Sequence, residues 1–376
     1  MAASRTFERA GRIPADVPLL TAVASLGVLG LLNLRSAVSV VNIEFYETQM
    51  YWFAFGGFVA MVAWLADYRI FLRHAYLLYG GVLVLLILVL GVGTELNQAR
   101  RWLFLGPVSF QPSEVMKIAL VLAVARVFHS DVKPDPRTLK DFLLPSALAA
   151  IPTFLVIKQP DLGTALIYPL IFFSMALVLR VRGRSVAVAL IAVLLLLPVG
   201  WSYLHDYQKE RVVTFFASLI SEEKLDVQDK GWHTVQSKIA VGSGHLFGKG
   251  FMQGTQNRMG FVPYQHTDFP FAVWAEEHGF AGSVLLVALY MFVVLWAVRI
   301  ASRARDRFGA LVAIGVGAMI FWHAVINIGM VLGLLPVVGV TLPFFSYGGS
   351  SVLATLIGIG LLLSVSARRL GSAWET

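Results

Sequence analysis

The sequence predicts an all-α polytopic membrane protein of about ten transmembrane helices, and three observations carry that prediction. The chain of 376 residues is 57% hydrophobic and only 14% charged, with a mean hydropathy of +0.74, far too apolar for an ordinary soluble domain. Apolar runs recur at lengths that cross a hydrocarbon core of roughly 30 Å, which takes about 20 helical residues. Basic residues gather in alternate connections between those runs, the charge pattern of membrane topology and not of a nucleic-acid surface. The formal charge of +8 therefore points to membrane lipid, with no nucleic acid among the partners.

Taken in order, the spans fall at Val17 to Leu34, Met50 to Ala66, Tyr76 to Val92, Val115 to Phe128 and Phe142 to Ile157, then Gly163 to Leu179, Ser185 to Leu204, Phe271 to Val298, Phe308 to Leu335 and Ser350 to Ala367. The fourth and fifth are short for a full crossing and would need tilt, polar extensions or a re-entrant path. Arg5, Arg9 and Arg12 before the first run resemble the start of a signal peptide. The small pair Ala22 and Ala24 falls too early in the run for a cleavage site, so the run reads as a retained span. Absence of cysteine excludes disulfides, thiolate nucleophiles and Cys metal sites. No internal repeat of the inverted-transporter kind is visible.

Orientation follows from the basic residues. Arg69, Arg73, Arg126, Lys133, Arg137, Lys140, Arg180, Arg182 and Arg184 cluster on one side, with Arg299 to Arg307 and Arg368 to Arg369. That side is the cytoplasm, and both termini lie there. The whole chain, 1–376, is then a single transmembrane domain, with a large extracytoplasmic loop at 205–267 between the seventh and eighth spans. The outer connections are rich in Gly, Pro, carboxylates, amides and aromatics, the kind of loops that carry sites on a helical scaffold.

Each candidate site residue has a plain reading beside its functional one. Glu114 and Lys117, three residues apart, share a helix face at the outer hydrocarbon boundary. They neutralise each other, or they mark a polar cavity in which Lys117 holds a diphosphate. Trp102, beside Arg100 and Arg101, is an interfacial anchor or a stacking face for a sugar or headgroup. Asp161 in QPDLGT caps a helix or faces the site. Gly242, Gly244, Gly248, Gly250 and Gly254 surround Lys249 in a flexible basic segment that could wrap a phosphate. It lacks the spacing of a nucleotide-binding P-loop. Arg211, Lys238 and Arg258 add charge to the same loop, where solvation alone would explain them.

Asp268 is the leading candidate. With Thr267 it precedes the apolar run from Phe269 to Trp274, so its carboxylate faces a cavity or costly lipid. With an ordinary pKa of about 3.9 it is ionised and fit to act as a general base or to hold a cation, where the plain alternative is a helix cap. His266 could tune it. Glu276 and Glu277 in the following helix serve as site groups or as partners for buried polar atoms. His323 and Asn327, then Pro336 and the run from Leu342 through Ser346 to Ser350, suggest a broken helix with a re-entrant turn that walls a cavity.

Taken together, QPSEVMK at 111–117, QPDLGTA at 159–165, GKGFMQGTQ at 248–256, HTDF at 266–269, AEEHGFAG at 275–282 and LLPVVGVTLPFFSYGGSS at 334–351 closely resemble the SEDS family (shape, elongation, division, sporulation). The runs cover about two thirds of the chain in the same order, and the GTQ after GKG resembles the RodA-like elongation members more than the FtsW-like division members. The resemblance implies a peptidoglycan glycosyltransferase of the bacterial cytoplasmic membrane that polymerises lipid II on the outer face with a class B penicillin-binding protein. It also implies that Asp268 is the essential aspartate and that Glu114, Lys117 and Asp161 are charged motif positions. Tyr264 departs from the pattern, since relatives often carry Glu there, so a second acid at that position is in doubt.

On this reading Asp268 takes a proton from the acceptor GlcNAc 4-hydroxyl, which attacks the anomeric carbon of the donor MurNAc with inversion as diphosphate leaves. The expected substrate contacts are Trp102, Glu114, Lys117, Asp161, Arg211, Lys249, His266, Thr267 and Ser346. Lys117, Lys249, Arg211 or a divalent cation (Mg or Mn) would offset the leaving charge, and no residue cluster has metal-site spacing. The rival readings are a lipid II flippase, which would carry polar machinery on both faces, and a non-catalytic scaffold.

Overall fold

Prolines and short capping side chains decide where the apolar runs become helices. The computed structural model describes residues 16–39, 42–96, 99–105, 108–131, 136–179, 181–185, 187–188, 198, 200–202, 206–220 and 232–368. Helix α1 (Val17–Ala37) begins with a proline in its first turn, α2 spans Glu44–Leu65, and α3 (Tyr68–Val92) starts where the Asp67 carboxylate accepts the Arg69 amide at 2.9 Å. Pro112 opens α4 (Pro112–Ser130); a 3₁₀ turn at Leu139–Phe142 leads into α5 (Leu143–Lys158), and Asp161 caps α6 (Leu162–Leu177). The outer loop contains α7 (Asp206–Ile220), α8 (Trp232–Ser243) and the single turn α9 (Thr255–Arg258). Three long helices follow: α10 (Pro270–Ser302), α11 (Arg307–Val331) and α12 (Gly349–Ala367).

Helices therefore stand at nine of the expected spans, and the expected span Ser185 to Leu204 falls mostly outside the described residues. Among the described residues, seven helical segments are long and apolar enough to cross a membrane by length and composition, and α6 is a shorter apolar helix. Two local readings differ. The ninth span was drawn to Leu335, but α11 stops at Val331, where Gly333 takes φ +70° and starts the irregular segment up to Gly348. The stretch before α4, read as loop, holds antiparallel strands β1 (Thr94–Leu96), β2 (Ala99–Leu105) and β3 (Val108–Phe110), ordered β1-β2-β3.

The centre of the bundle is α12, which is buried almost along its whole length although it carries Ser350, Ser351, Thr355, Ser364 and Ser366. Gly360 lets α2 lie against it: a Cβ there would stand 2.4 Å from the Ala60 carbonyl oxygen. The outer faces of α2, α3 and α10 expose Phe55, Phe58, Leu77, Leu88, Leu285 and Leu295, as lipid-facing helices should.

Helix α10 is not continuous. Gly279 sits at φ +64°, ψ −162°, and frees backbone groups on both sides of the break. Segment 245–250 supplies their partners. Lys249 and Gly250 donate their amides to the carbonyls of Glu276 and Glu277 at 3.0 Å each, and the amides of Phe280 and Ala281 donate to His245 and Leu246 at 2.9 and 3.0 Å. Gly248 has φ +81°, and a side chain there would collide with the Glu277 carbonyl. The glycines around Lys249 thus serve a tight backbone junction, a structural reason for a pattern that resembled a phosphate wrap.

Candidate active site

Asp268 stands on the last turn before α10, in backbone that is tied down locally. The amides of Thr267, Asp268 and Phe269 all converge on the Tyr264 carbonyl at 3.1, 2.9 and 3.3 Å, and Pro270 then opens the helix without an amide hydrogen to satisfy. The Asp268 carbonyl accepts from Nδ2 of Asn327 at 2.9 Å, and the same nitrogen donates to the Val340 carbonyl at 2.7 Å. The carboxylate itself packs beside Gly339, where a Cβ would stand 3.5 Å from Oδ2.

It opens into a cavity of about 480 Å³, within the size range of small-molecule sites. Arg101 reaches the cavity from β2, Asp161 from the start of α6, Arg211 from α7, His233 from α8, and Pro336 to Gly339 from the irregular segment after α11. Tyr264, His266 and Thr267 complete the wall next to Asp268. Helix α7 is fastened over this segment by Nη1 of Arg211, which donates to the Val337 carbonyl at 3.2 Å.

Electrostatics follow from that enclosure. Burial pushes the Asp268 carboxyl up to about 6, against the pull of Arg211, Arg101 and the Thr267 hydroxyl. Burial lowers His266 and, with help from Arg211, His233, so both rings are neutral near pH 7. His266 stacks on Phe45 with ring centroids 5.1 Å apart, and its carbonyl accepts the Tyr347 amide at 2.7 Å. Asp161 is 4% exposed and already occupied: Oδ1 accepts the Thr164 amide at 3.1 Å, Oδ2 accepts the Thr164 hydroxyl at 3.0 Å and Gln111 Nε2 at 3.1 Å, and Arg101 lies 3.7 Å away. Cap and cavity wall are one residue here.

Comparison with known proteins places the chain. The profile of the FtsW/RodA/SpoVE family, described as cell cycle proteins, matches residues 17–370. The chain belongs to this family. The peptidoglycan glycosyltransferase MrdB of Escherichia coli (strain K12) is 38% identical over 359 residues, covering 95% of both chains. The peptidoglycan glycosyltransferase RodA of Treponema pallidum (strain Nichols) is 31% identical, over 93% of this chain and 96% of its own. A solved structure reported as the structural coordination of polymerization and crosslinking by a peptidoglycan synthase complex contains a chain that superposes with a TM-score of 0.80 at 36% identity, covering 95% of this chain and 99% of that one. The rod shape determining protein RodA of Thermus thermophilus superposes with a TM-score of 0.71 at 33% identity, over 95% and 98% of the two chains.

As a member of the FtsW/RodA/SpoVE family, the chain is a multi-pass protein of the bacterial inner membrane. Of the residues singled out by sequence, the structure brings Asp161, Arg211, His266, Thr267 and Asp268 to one cavity. The others stand elsewhere. Lys117 is fully buried between Glu114, whose Oε2 accepts from Nζ at 2.7 Å, and Nε2 of His323 at 2.8 Å. Lys249 donates to Glu276 Oε1 at 2.7 Å and to the Thr255 hydroxyl at 2.8 Å, and does not line the cavity. Ser346 uses its hydroxyl to accept the Leu342 amide at 2.7 Å. Trp102 follows Arg101 on β2, and successive strand residues face opposite sides, so Arg101 enters the cavity and Trp102 does not line it.

Arg101, His233 and Tyr264 were not read as site residues from sequence, whereas Asn327 was read there as part of a cavity wall. Arg101 was legible only as a neighbour of an anchor tryptophan, and Tyr264 only as a departure from a family pattern. His233 lies in α8, which carried no chemistry-bearing motif.

Proposed function

We propose that the chain is a lipid II polymerase that extends β-1,4-linked glycan strands at the outer face of the cytoplasmic membrane during cell elongation, releasing undecaprenyl diphosphate. The relatives named above, described as peptidoglycan glycosyltransferases, support the reaction class. The observation that carries the mechanism is the placement of Asp268, a carboxyl pushed up to about 6, in a cavity that also holds Arg101 and Arg211.

At neutral pH Asp268 is ionised yet more basic than an ordinary carboxylate, which suits a general base. A carboxylate oxygen takes the proton of the acceptor GlcNAc 4-hydroxyl while that oxygen bonds to the anomeric carbon of the donor. The bond from that carbon to the diphosphate oxygen breaks, and the α-linked donor becomes a β-linked product in one inversion. Negative charge grows on the diphosphate, and Arg101 and Arg211 are the cavity cations that offset it. A divalent cation has a poor seat between the two cavity carboxylates, because both oxygens of Asp161 already accept hydrogen bonds. A class B penicillin-binding protein is the proposed partner, in keeping with the related chain from a peptidoglycan synthase complex.

The test is purified protein with lipid II and its cognate penicillin-binding protein, scored for glycan polymer on a gel. Polymer from wild type and none from an equally folded Asp268→Ala protein is the expected result. Equal polymer from both removes the mechanism.

A further inference from the structure

Asn327 is wholly buried in α11, and both hydrogens of its amide nitrogen are spent on main-chain carbonyls from two other segments: Asp268, at the entrance to α10, and Val340, in the irregular segment after α11. Both partners are carbonyl oxygens, so only the nitrogen end of the amide can face them. The remaining Oδ1 has no hydrogen-bond partner among the described residues, a cost that a merely space-filling side chain would avoid. One turn earlier, His323 Nδ1 donates to the Thr341 carbonyl at 2.9 Å, so consecutive carbonyls of the same segment are gripped from one face of α11. The residue before Val340 is Gly339, the neighbour of the Asp268 carboxylate.

We propose that Asn327 is a positioning residue for the general base, holding the backbone of Asp268 and the Gly339–Val340 wall at a fixed separation so that the carboxylate keeps its place in the cavity. The proposal rests on the assignment of Asp268 as base. Asn327 touches no reacting atom; it sets where the reacting oxygen stands and how closely the wall shields it from water. Losing both donors lets the wall recede, and a displacement of the order of 1 Å at a reacting group costs roughly a hundredfold in rate. The charged or titratable groups that line the cavity with Asp268 are Arg101, Asp161, Arg211, His233, Tyr264 and His266, from β2, α6, α7, α8 and its own turn, and none of them is altered by a change at 327.

The test is Asn327→Leu, equal in shape and lacking both donors, with Asp268→Ala beside it. Glycan polymerisation is measured against lipid II concentration from pH 5 to pH 8, and folding by thermal unfolding in detergent. A folded Asn327→Leu protein should lose on the order of tenfold to a hundredfold in kcat with little change in KM, and its acid limb should move below pH 6 as Asp268 regains water. Wild-type kcat and an unmoved acid limb, with Asp268→Ala inactive, overturn the positioning role alone. Polymer from Asp268→Ala overturns the base assignment and this inference with it. Should Asn327→Leu fail to fold, Asn327→Ser, which keeps one donor, decides: an intermediate kcat with a shifted acid limb supports the proposal, and wild-type values overturn it.

Discussion

Nζ of Lys117 stands 2.8 Å from Nε2 of His323, and the other ring nitrogen faces the Thr341 carbonyl at 2.9 Å. A carbonyl can only accept, so Nδ1 carries the hydrogen and Nε2 takes one from the ammonium. With Glu114 on its other side, Lys117 is a buried cation with two partners from α4 and α11. Lys117→Met leaves the Glu114 carboxylate buried without its cation, a loss of about 3–5 kcal/mol. The double variant Glu114→Gln with Lys117→Met should recover most of it. Thermal unfolding in detergent checks both; equal melting of the single and double variants would show that the pair is not coupled.

Asp268 makes a different prediction for stability than for activity. Its folded pKa of about 6 lies above the ordinary carboxylate value, so the fold prefers the protonated form. That stabilisation is complete below the ordinary value and is lost as pH rises through about 6. Asp268→Asn should therefore melt no lower than wild type at pH 7.5 while forming no polymer. In wild type the polymerisation rate should fall as pH drops below about 6, where the base becomes protonated.

Glu276 and Lys249 are unequal partners. The Glu276 side chain is fully buried and also accepts the amides of Gln256 at 2.9 Å and Asn257 at 3.3 Å, whereas the Lys249 side chain is 26% exposed. Glu276→Ala strips several donors of their acceptor and should open segment 245–258 to limited proteolysis. Lys249→Ala leaves the backbone bonds in place, and polymer yield should stay within about threefold of wild type. A Lys249→Ala protein that folds but makes no polymer would return Lys249 to the substrate contacts.

Gly360→Val tests the seat of α12. Its side chain must displace the backbone of α2 at Ala60, and overpacking of a tight contact costs about 1–3 kcal/mol or more. A lowered melting temperature with the cavity chemistry otherwise intact is expected, read as reduced yield of folded protein and near-normal kcat for what remains.

Much of this molecule was legible because a bilayer writes its demands into sequence as length and apolarity. The spans from α1 to α6 and from α10 to α12 could be drawn from those alone. Asp268 and Asp161 were legible because a carboxylate next to an apolar run has few explanations. Pairings made across the fold were not: Arg211 meets Val337 across 126 positions, and Lys249 meets Glu276 across 27. A lysine among glycines looks the same in one dimension whether it awaits a phosphate or a buried glutamate. The β2–β3 hairpin was missed because RRWLFLGPVSF was weighed for its anchors and not for strand alternation.

The near-total enclosure of α12 also bears on how the protein is made. Among the described helices it leaves the ribosome last, yet it occupies the axis around which the earlier ones settle. Until 349–367 has emerged, the face of α2 around Ala60 lacks the Gly360 notch that receives it, so the half-made bundle must wait open in the bilayer. A chain truncated before that point would present an unfilled slot to the cell's membrane proteases, so a nonsense mutation shortly before residue 349 should be as damaging as one far upstream.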